Sequence, residues 1–439
     1  MKRAFPISIL CMSSVSAMAG TSGILPGSMS TTGPSSNHHS LFAATHNPAM
    51  AALTVNSDES WRTSYFASIG TNIELGDVND FVDDVDELID ILDDPGSTDM
   101  SVDETLDRFN SVLVKIGEEG YLKNSTNIYF PGFPVYWKPS FLKGTLFSEL
   151  SLGTQEKLSI IDSELRFNNQ NNGFETSSAA YIKTGIETKF SVGYGQKVLE
   201  DFYPMGLEGS LYAGTKVSIY SLDLSKQVFQ LQLLDGKDIG DAVEDAYENN
   251  LESTTAAAID VGVTWVADKY RVGLTLENLN SPEFKYGAVG QNCESIAEDS
   301  VARSNCELTA EFVQTEGEIK ARESHVKSAL VSVDATYFLL HNWAVSTSLD
   351  LASWDDIVGT QNQEFQVSTS YTPSSVFLPS VRIGMHQNLV GSELTTYGFG
   401  LSVLNSISLD LAFAPDYIEY EGDKAPRKFS FALSFEENF

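Results

Sequence analysis

The sequence predicts an all-β fold, a transmembrane antiparallel β-barrel of about 14 strands with an N-terminal plug segment and small helical inserts. Three observations predict it. From Trp61 to the end of the chain, long segments alternate apolar and polar residues with period two. Their polar faces carry Gly, Ser, Thr, Asp, Glu and Lys instead of a second apolar set. One face must therefore meet an apolar surround while the other lines a polar interior. Aromatic residues, among them Tyr194, Trp265, Tyr270, Trp343 and Tyr371, stand near segment ends, where the girdles of a membrane barrel sit. A soluble sandwich would use strands of about 5–6 residues with their apolar faces packed together. A tilted membrane strand needs about 9–11.

The chain opens with Lys2 and Arg3, a short apolar core over Ile7–Val15, and Ala17-Met18-Ala19. This is the layout of a secretory signal peptide over residues 1–19, cut between Ala19 and Gly20. No later stretch approaches the roughly 20 apolar residues of a spanning helix. Export with a barrel pattern places the protein in the outer membrane of a Gram-negative cell, with outer-membrane lipid as its surround. A net charge of −33 repels phosphate, so no nucleic acid is expected to bind directly. Removal of Cys11 with the signal leaves Cys293 and Cys306. In an oxidising compartment such a pair is expected to form a disulfide.

Residues 20–56 are rich in Gly, Ser, Thr and Asn, with one apolar island between Leu41 and Leu53. Pro48 restricts the residue before it, and Asn47 can bond the following backbone. The island is expected to pack inside the barrel near the periplasmic end, with Asn47 bonded to backbone or inner-wall polar groups. A disordered leader is the alternative. His38, His39 and His46 share these Ser- and Gly-rich surroundings and read as tail, not as a metal cluster.

The barrel is assigned to residues 57–439. Trp61, Tyr65, Ile69 and Ile73 share one face, opposite Asn72 and Glu74; Leu349 and Leu351 flank Asp350 in the same way. The apolar sets are expected to face outward. Glu187, Glu208, Glu277, Asp334, Asp350 and Asp410 then form an acidic inner face. Turns are expected at Asp268-Lys269 and His341-Asn342. A helical insert is placed at 78–118, stopped midway by Pro95-Gly96 and restarted by a capping box at Ser101–Glu104. Its acidic face reads as solvated. A shorter helix is predicted over 239–252. The polar stretch 285–322, holding both cysteines, is expected to project from the outer mouth, because periplasmic turns are short.

Phe429, Phe431, Leu433, Phe435 and the terminal Phe439 share one parity. This resembles the C-terminal strand that outer-membrane proteins present to the barrel assembly machinery, although Glu437 stands where an apolar residue is usual. Residues 43–51, with Asn47, Pro48 and Ala49, resemble the N-terminal Asn-Pro-Ala region of FadL-type hydrophobic-compound transporters, with Met50 in place of the usual Gly. Residues 270–284, with Asn278, Leu279, Ser281, Pro282 and Phe284, resemble the TraF-type plasmid transfer (conjugal transfer) outer-membrane proteins. The resemblance implies a hatch inside the barrel and a FadL-like conduit for hydrophobic small molecules. Two other readings stay open: a structural or docking component of an envelope or conjugal DNA-transfer system, and a diffusion porin. The sequence holds no Gly-x-Ser-x-Gly, His-Glu-x-x-His or phosphate-loop motif. Neither an enzyme nor a cofactor is expected.

Overall fold

Pairing of the first long strand with the last closes the sheet on itself: Ile69 opposes Leu433 and Ile73 opposes Phe429. The computed structural model describes residues 25–36, 40–55, 59–170, 172–202, 208–231, 250–298, 300–316, 319–375, 377–404, 406–420 and 423–435. The signal peptide with Ala19 and Gly20, His38, His39, Glu437 and Phe439 lie outside them.

The strands in chain order begin with β1 (Trp61–Thr63), β2 (Ser68–Leu75), β3 (Tyr121–Tyr129), β4 (Val135–Trp137), β5 (Thr145–Ile161), β6 (Arg166–Asn168), β7 (Gly173–Glu175) and β8 (Ala179–Phe202). They continue with β9 (Gly209–Gln230), β10 (Glu252–Val266), β11 (Tyr270–Glu277), β12 (Glu283–Lys285), β13 (Ser324–Val326), β14 (Leu330–Leu340), β15 (Trp343–Asp350) and β16 (Trp354–Asp355). The last are β17 (Gln361–Asn362), β18 (Glu364–Tyr371), β19 (Ser380–Asn388), β20 (Thr395–Val403), β21 (Ile407–Phe413), β22 (Tyr417–Tyr420), β23 (Asp423–Pro426) and β24 (Lys428–Phe435). Strands β2, β3, β5, β8–β11, β14, β15, β18–β21 and β24 form a closed antiparallel barrel of 14 strands. Most of the predicted helix over 239–252 lies outside the described residues, and Glu252 already begins β10.

Period two sets the two faces. Ile69, Ile73, Val217, Ile219, Phe399 and Leu351 are exposed outward, whereas Asn72, Glu74, Lys216, Ser218 and Asp350 are buried inside. Lipid is the surround that stabilises such an outer face. A charge placed there is costly near the bilayer middle. Phe399→Lys, at the centre of β20, is therefore expected to destabilise the barrel by about 2–4 kcal/mol. A lowered midpoint in urea unfolding from lipid would register it; no change would mean that this face does not meet lipid.

The wall is uneven in height. Strand β8 has 24 residues and β9 has 22, far beyond the ~9–11 that span a membrane. The excess lies at the end of the long connections, and its two faces are covered differently. Outward, Ile160, Ala180, Ile182 and Phe229 pack under a helical hairpin of α4 (Phe81–Asp93) and α5 (Val102–Glu119). Inward, their chain neighbours Ile161, Ala179 and Val228 pack against Val289, Leu308, Phe312 and Ile319. In the hairpin the Ser101 amide donates to Glu104 (2.9 Å), while Ser101 Oγ accepts from the Glu104 amide (3.4 Å), completing the capping box.

Cys293 and Cys306 form a disulfide that ties the turn at Cys293–Ser295 to helix α6 (Val301–Glu311). The segment carrying it does not stand away from the mouth. It folds back over the inner wall, because Ile161, Ala179 and Val228 present an apolar surface there. Loss of the bridge in Cys293→Ser/Cys306→Ser is expected to loosen this segment, by on the order of 3 kcal/mol in the loop-entropy account. Hydrogen exchange over residues 287–312 should accelerate while the barrel strands keep their protection. Unchanged exchange would show that packing alone fixes the segment.

Candidate functional site

Residues 25–36 and 40–55 lie within the ring of strands, toward the end of the short turns. The chain there is three short helices, α1 (Met29–Thr32), α2 (Ala43–His46) and α3 (Ala51–Thr54), with a 3-10 turn at Pro48–Met50. Asn47 caps that turn, its Oδ1 accepting from the Ala49 amide at 3.1 Å. Its Nδ2 donates to the Val263 carbonyl (3.2 Å) and Thr264 Oγ1 (3.1 Å) on β10.

Small residues allow this close approach. Gly195, Gly214 and Gly262 lie side by side on β8, β9 and β10. A Cβ at Gly195 would fall 2.5 Å from the Pro48 carbonyl oxygen, and one at Gly214 2.5 Å from the Ala49 amide nitrogen. A Cβ at Gly262 would fall 2.8 Å from Pro48 Cδ. The row is thus a flat seat against which backbone packs on backbone.

Wall side chains bond the segment's irregular backbone from many directions. Tyr136 donates to the Leu41 carbonyl (2.5 Å), Arg62 to Thr54 (2.9 Å), Gln366 to Thr31 (2.8 Å) and Ser368 to Thr32 (3.1 Å). Lys216 donates to the Thr45 carbonyl. Asp334 accepts from the Ser36 amide (2.6 Å), and Asp410 accepts from Thr31 Oγ1 (2.5 Å) while paired with Arg382 (2.8 Å). The ring of His46 lies between two strands, Nδ1 2.6 Å from Glu277 and Nε2 3.2 Å from Ser332 Oγ. Buried carbonyls of irregular backbone need such partners, and here the barrel interior supplies them. Apolar packing adds to this: Leu41, Ala44, Met50 and Val55 cluster with Tyr136 and Phe147, and Met29 and Phe42 with Tyr129.

Above the segment is an internal cavity of about 280 Å³. Leu25, Met29 and Tyr129 give it apolar surface, Lys189, Lys216, Asp260 and Glu277 give it charge, and His325, Lys327, Trp354 and Ile357 line it from the opposite end. The last four belong to connections that fold inward, where Phe284 and Tyr286 meet Leu222, Leu224 and Ile357. Burial and then Lys327 push the His325 imidazole down to about 3, so it stays neutral against the Phe284 ring.

The residues singled out in the sequence fall into separate places. Asn278, Ser281, Pro282 and Phe284 form the hinge between β11 and the inward-folding connection. The Asn278 amide donates to Asp260 (2.7 Å), Ser281 Oγ accepts from the Ala329 amide (3.2 Å), and the Pro282 carbonyl accepts from the Lys327 amide (3.0 Å). Asn278 and Ser281 both adopt positive φ; Leu279 beside them is exposed. Phe429, Phe431, Leu433 and Phe435 lie on β24, the strand that closes the barrel.

Of the predicted acidic inner face, Glu187, Glu277, Asp334, Asp350 and Asp410 do face inward, but several are matched by cations. Glu187 pairs with Lys327 (2.6 Å), Asp410 with Arg382 and Glu277 with His46, while Glu208 precedes β9 and is exposed. Lys189 and Lys216 face Glu149 and Asp260 at 2.5 and 3.1 Å. Parity places these lysines inside but does not show what they meet. Within the expected plug segment 20–56, only the island at 41–53 carried a packing expectation, and residues 25–36 lie in the lumen beside it. The inner-face glycines were a usable signal for a close-packed occupant.

A family model described as "F plasmid transfer operon, TraF, protein" matches residues 44–350. No curated protein sequence matches the chain. Among solved structures, the Pseudomonas putida toluene transporter TodX is similar at 10% identity and a TM-score of 0.41, over 96% of this chain and 100% of its own. The Ralstonia pickettii toluene transporter TbuX is similar at 11% identity and a TM-score of 0.37, over 96% and 97%. A Pseudomonas aeruginosa FadL homologue is similar at 12% identity and a TM-score of 0.31, over 95% and 98%.

Proposed function

We propose, of a chain that belongs to the family described as "F plasmid transfer operon, TraF, protein", that it is an outer-membrane conduit for small molecules with a substantial apolar part. Its own N-terminal segment serves as the hatch that closes it at rest. The observation that carries this reading is the occupied lumen. A diffusion porin keeps a continuous water channel, whereas here residues 25–36 and 40–55 fill one end and inward-folded connections narrow the other.

The apolar character of the cargo rests on two features. Leu25, Met29 and Tyr129 give the cavity an apolar floor. Beside the hatch, the wall departs from a regular ladder between β1 and β2 and between β3 and β4. There Ser64 Oγ donates to the Phe435 carbonyl (2.8 Å), and Tyr65 and Phe66 are exposed. A solute leaving at that point would meet aromatic rings and lipid instead of water. The test is reconstitution of the full chain into vesicles. Transfer of an apolar fluorescent probe should be accelerated without leakage of a small sugar. Sugar leakage would favour the porin, and transfer at the lipid-only rate would remove the conduit.

A second reading, a docking component of an envelope or conjugal DNA-transfer system, draws on the tall wall at β5, β8 and β9 with its helical hairpin. Deleting residues 78–118 would then abolish the assembly while leaving probe transfer intact.

A further inference from the structure

Residues 25–55 contain no Asp, Glu, Lys or Arg. Beside its apolar packing, the hatch meets the wall through its carbonyls, amides and hydroxyls. His46 is the exception: among the described residues it is the hatch's one titratable side chain. It sits at the end of α2, directly before Asn47 and the turn that rests on the glycine row. Its two ring nitrogens engage two neighbouring strands, Glu277 on β11 at 2.6 Å and Ser332 on β14 at 3.2 Å.

We infer that His46 is a proton-operated latch: as imidazolium paired with Glu277 it holds the hatch across the lumen, and loss of its proton releases that hold. This rests on the hatch reading above.

The charges around the ring favour the protonated form. Glu277, Asp334 on β14 and Asp350 on β15 all act on it, and burial opposes them. Lys216 on β9 and Lys189 on β8 also act on Glu277, but their close contacts are with other groups: Lys216 donates to the Thr45 carbonyl and pairs with Asp260 on β10, and Lys189 pairs with Glu149. The balance leaves His46 above the ordinary imidazole range. The sign follows. An undocked His46 titrates near ~6.5, so docking is fully supported below that pH. The support is lost as pH rises through the higher value of the docked ring. A neutral ring could still accept or donate one hydrogen bond, but it would leave the half-buried Glu277 without its ion-pair partner.

The test uses the full chain in a lipid bilayer at pH 6 and pH 8.5, beside His46→Gln and Glu277→Gln. Two quantities are read: single-channel open probability and hydrogen-exchange protection of amides 42–51, corrected for intrinsic exchange. In the wild type, protection should fall severalfold between the two pH values, with open probability rising in step. Each variant should show similar protection at both pH values. A wild type that responds no more than His46→Gln, or a His46→Gln that keeps the full response, overturns the latch. The barrel lacking residues 25–55 separates the two ideas. If it conducts at both pH values while the wild type ignores pH, the latch fails and the hatch stands. If it does not conduct, both fall.

Discussion

Deletion of residues 25–55 is expected to turn a closed barrel into a conducting channel without unfolding it. The segment contributes no strand to the ring of 14, so every interstrand ladder survives its loss. What disappears is a set of hydrogen bonds donated to the segment's backbone by Tyr136, Arg62, Lys216, Gln366 and Ser368, and one accepted from it by Asp334, with the burial of Leu41, Phe42 and Met50. Single hydrogen bonds contribute a net ~0.5–1.5 kcal/mol and fully buried apolar side chains about 1.5–3 kcal/mol each. If only about 3 kcal/mol of docking survives the cost of ordering the segment, the open state is populated below roughly 1%. Deletion should then raise mean current in planar bilayers on the order of a hundredfold. The barrel should keep its resistance to detergent denaturation before boiling. Unchanged current from a folded deletion variant would mean that the segment does not control the lumen.

Gly214→Val tests the same closure with a single added side chain. Its Cβ would fall 2.5 Å from both the Ala49 amide nitrogen and the Pro48 carbonyl oxygen. Both are backbone atoms, so no rotamer change relieves the clash. Gly195 and Gly262 on the adjacent strands leave no room to shift sideways, since they seat the same turn. Overpacking of this kind costs about 1–3 kcal/mol, here charged to docking and not to the barrel, because valine is a better strand residue than glycine. Open probability should rise roughly tenfold to a hundredfold, with Gly214→Ala lying between wild type and Gly214→Val. Thermal unfolding of the barrel should not fall. A Gly214→Val channel as closed as wild type would show that the turn does not seat on β9.

The barrel was legible because its signal is local. In Trp61–Leu75, neighbouring side chains point to opposite faces whatever the rest of the chain does, so parity separates Ile69 and Ile73 from Asn72 and Glu74. The turns at Asp268-Lys269 and His341-Asn342 and the Ser101 capping box are equally local. The pattern fails at Ile160-Ile161, Ala179-Ala180 and Val228-Phe229, where both parities are apolar. Those pairs mark a wall covered on both faces, which the reading did not draw out. It also expected residues 285–322 to stand clear of the mouth, because polarity and length alone do not reveal an apolar inner wall waiting for Val289, Leu308 and Phe312.

The lumen was legible only in outline. Parity and charge put Glu187, Glu277 and Asp410 inside, and an acidic lining followed. Their partners Lys327, His46 and Arg382 come from a distant connection, the N-terminal segment and a strand two places along the sheet. By itself, then, the sequence determined the exposed and interior faces of the strands, the positions of several turns and caps, and the presence of two cysteines free to pair. Only the tertiary structure decided that Gly195, Gly214 and Gly262 form one seat, that residues 25–36 join 40–55 in the lumen, and that Glu187, Glu277 and Asp410 each meet a cation there. The physical reason is the range of each interaction. Pleat and turn preferences act between near neighbours in sequence, whereas close packing and ion pairing depend on register across strands, which is fixed only when the barrel closes.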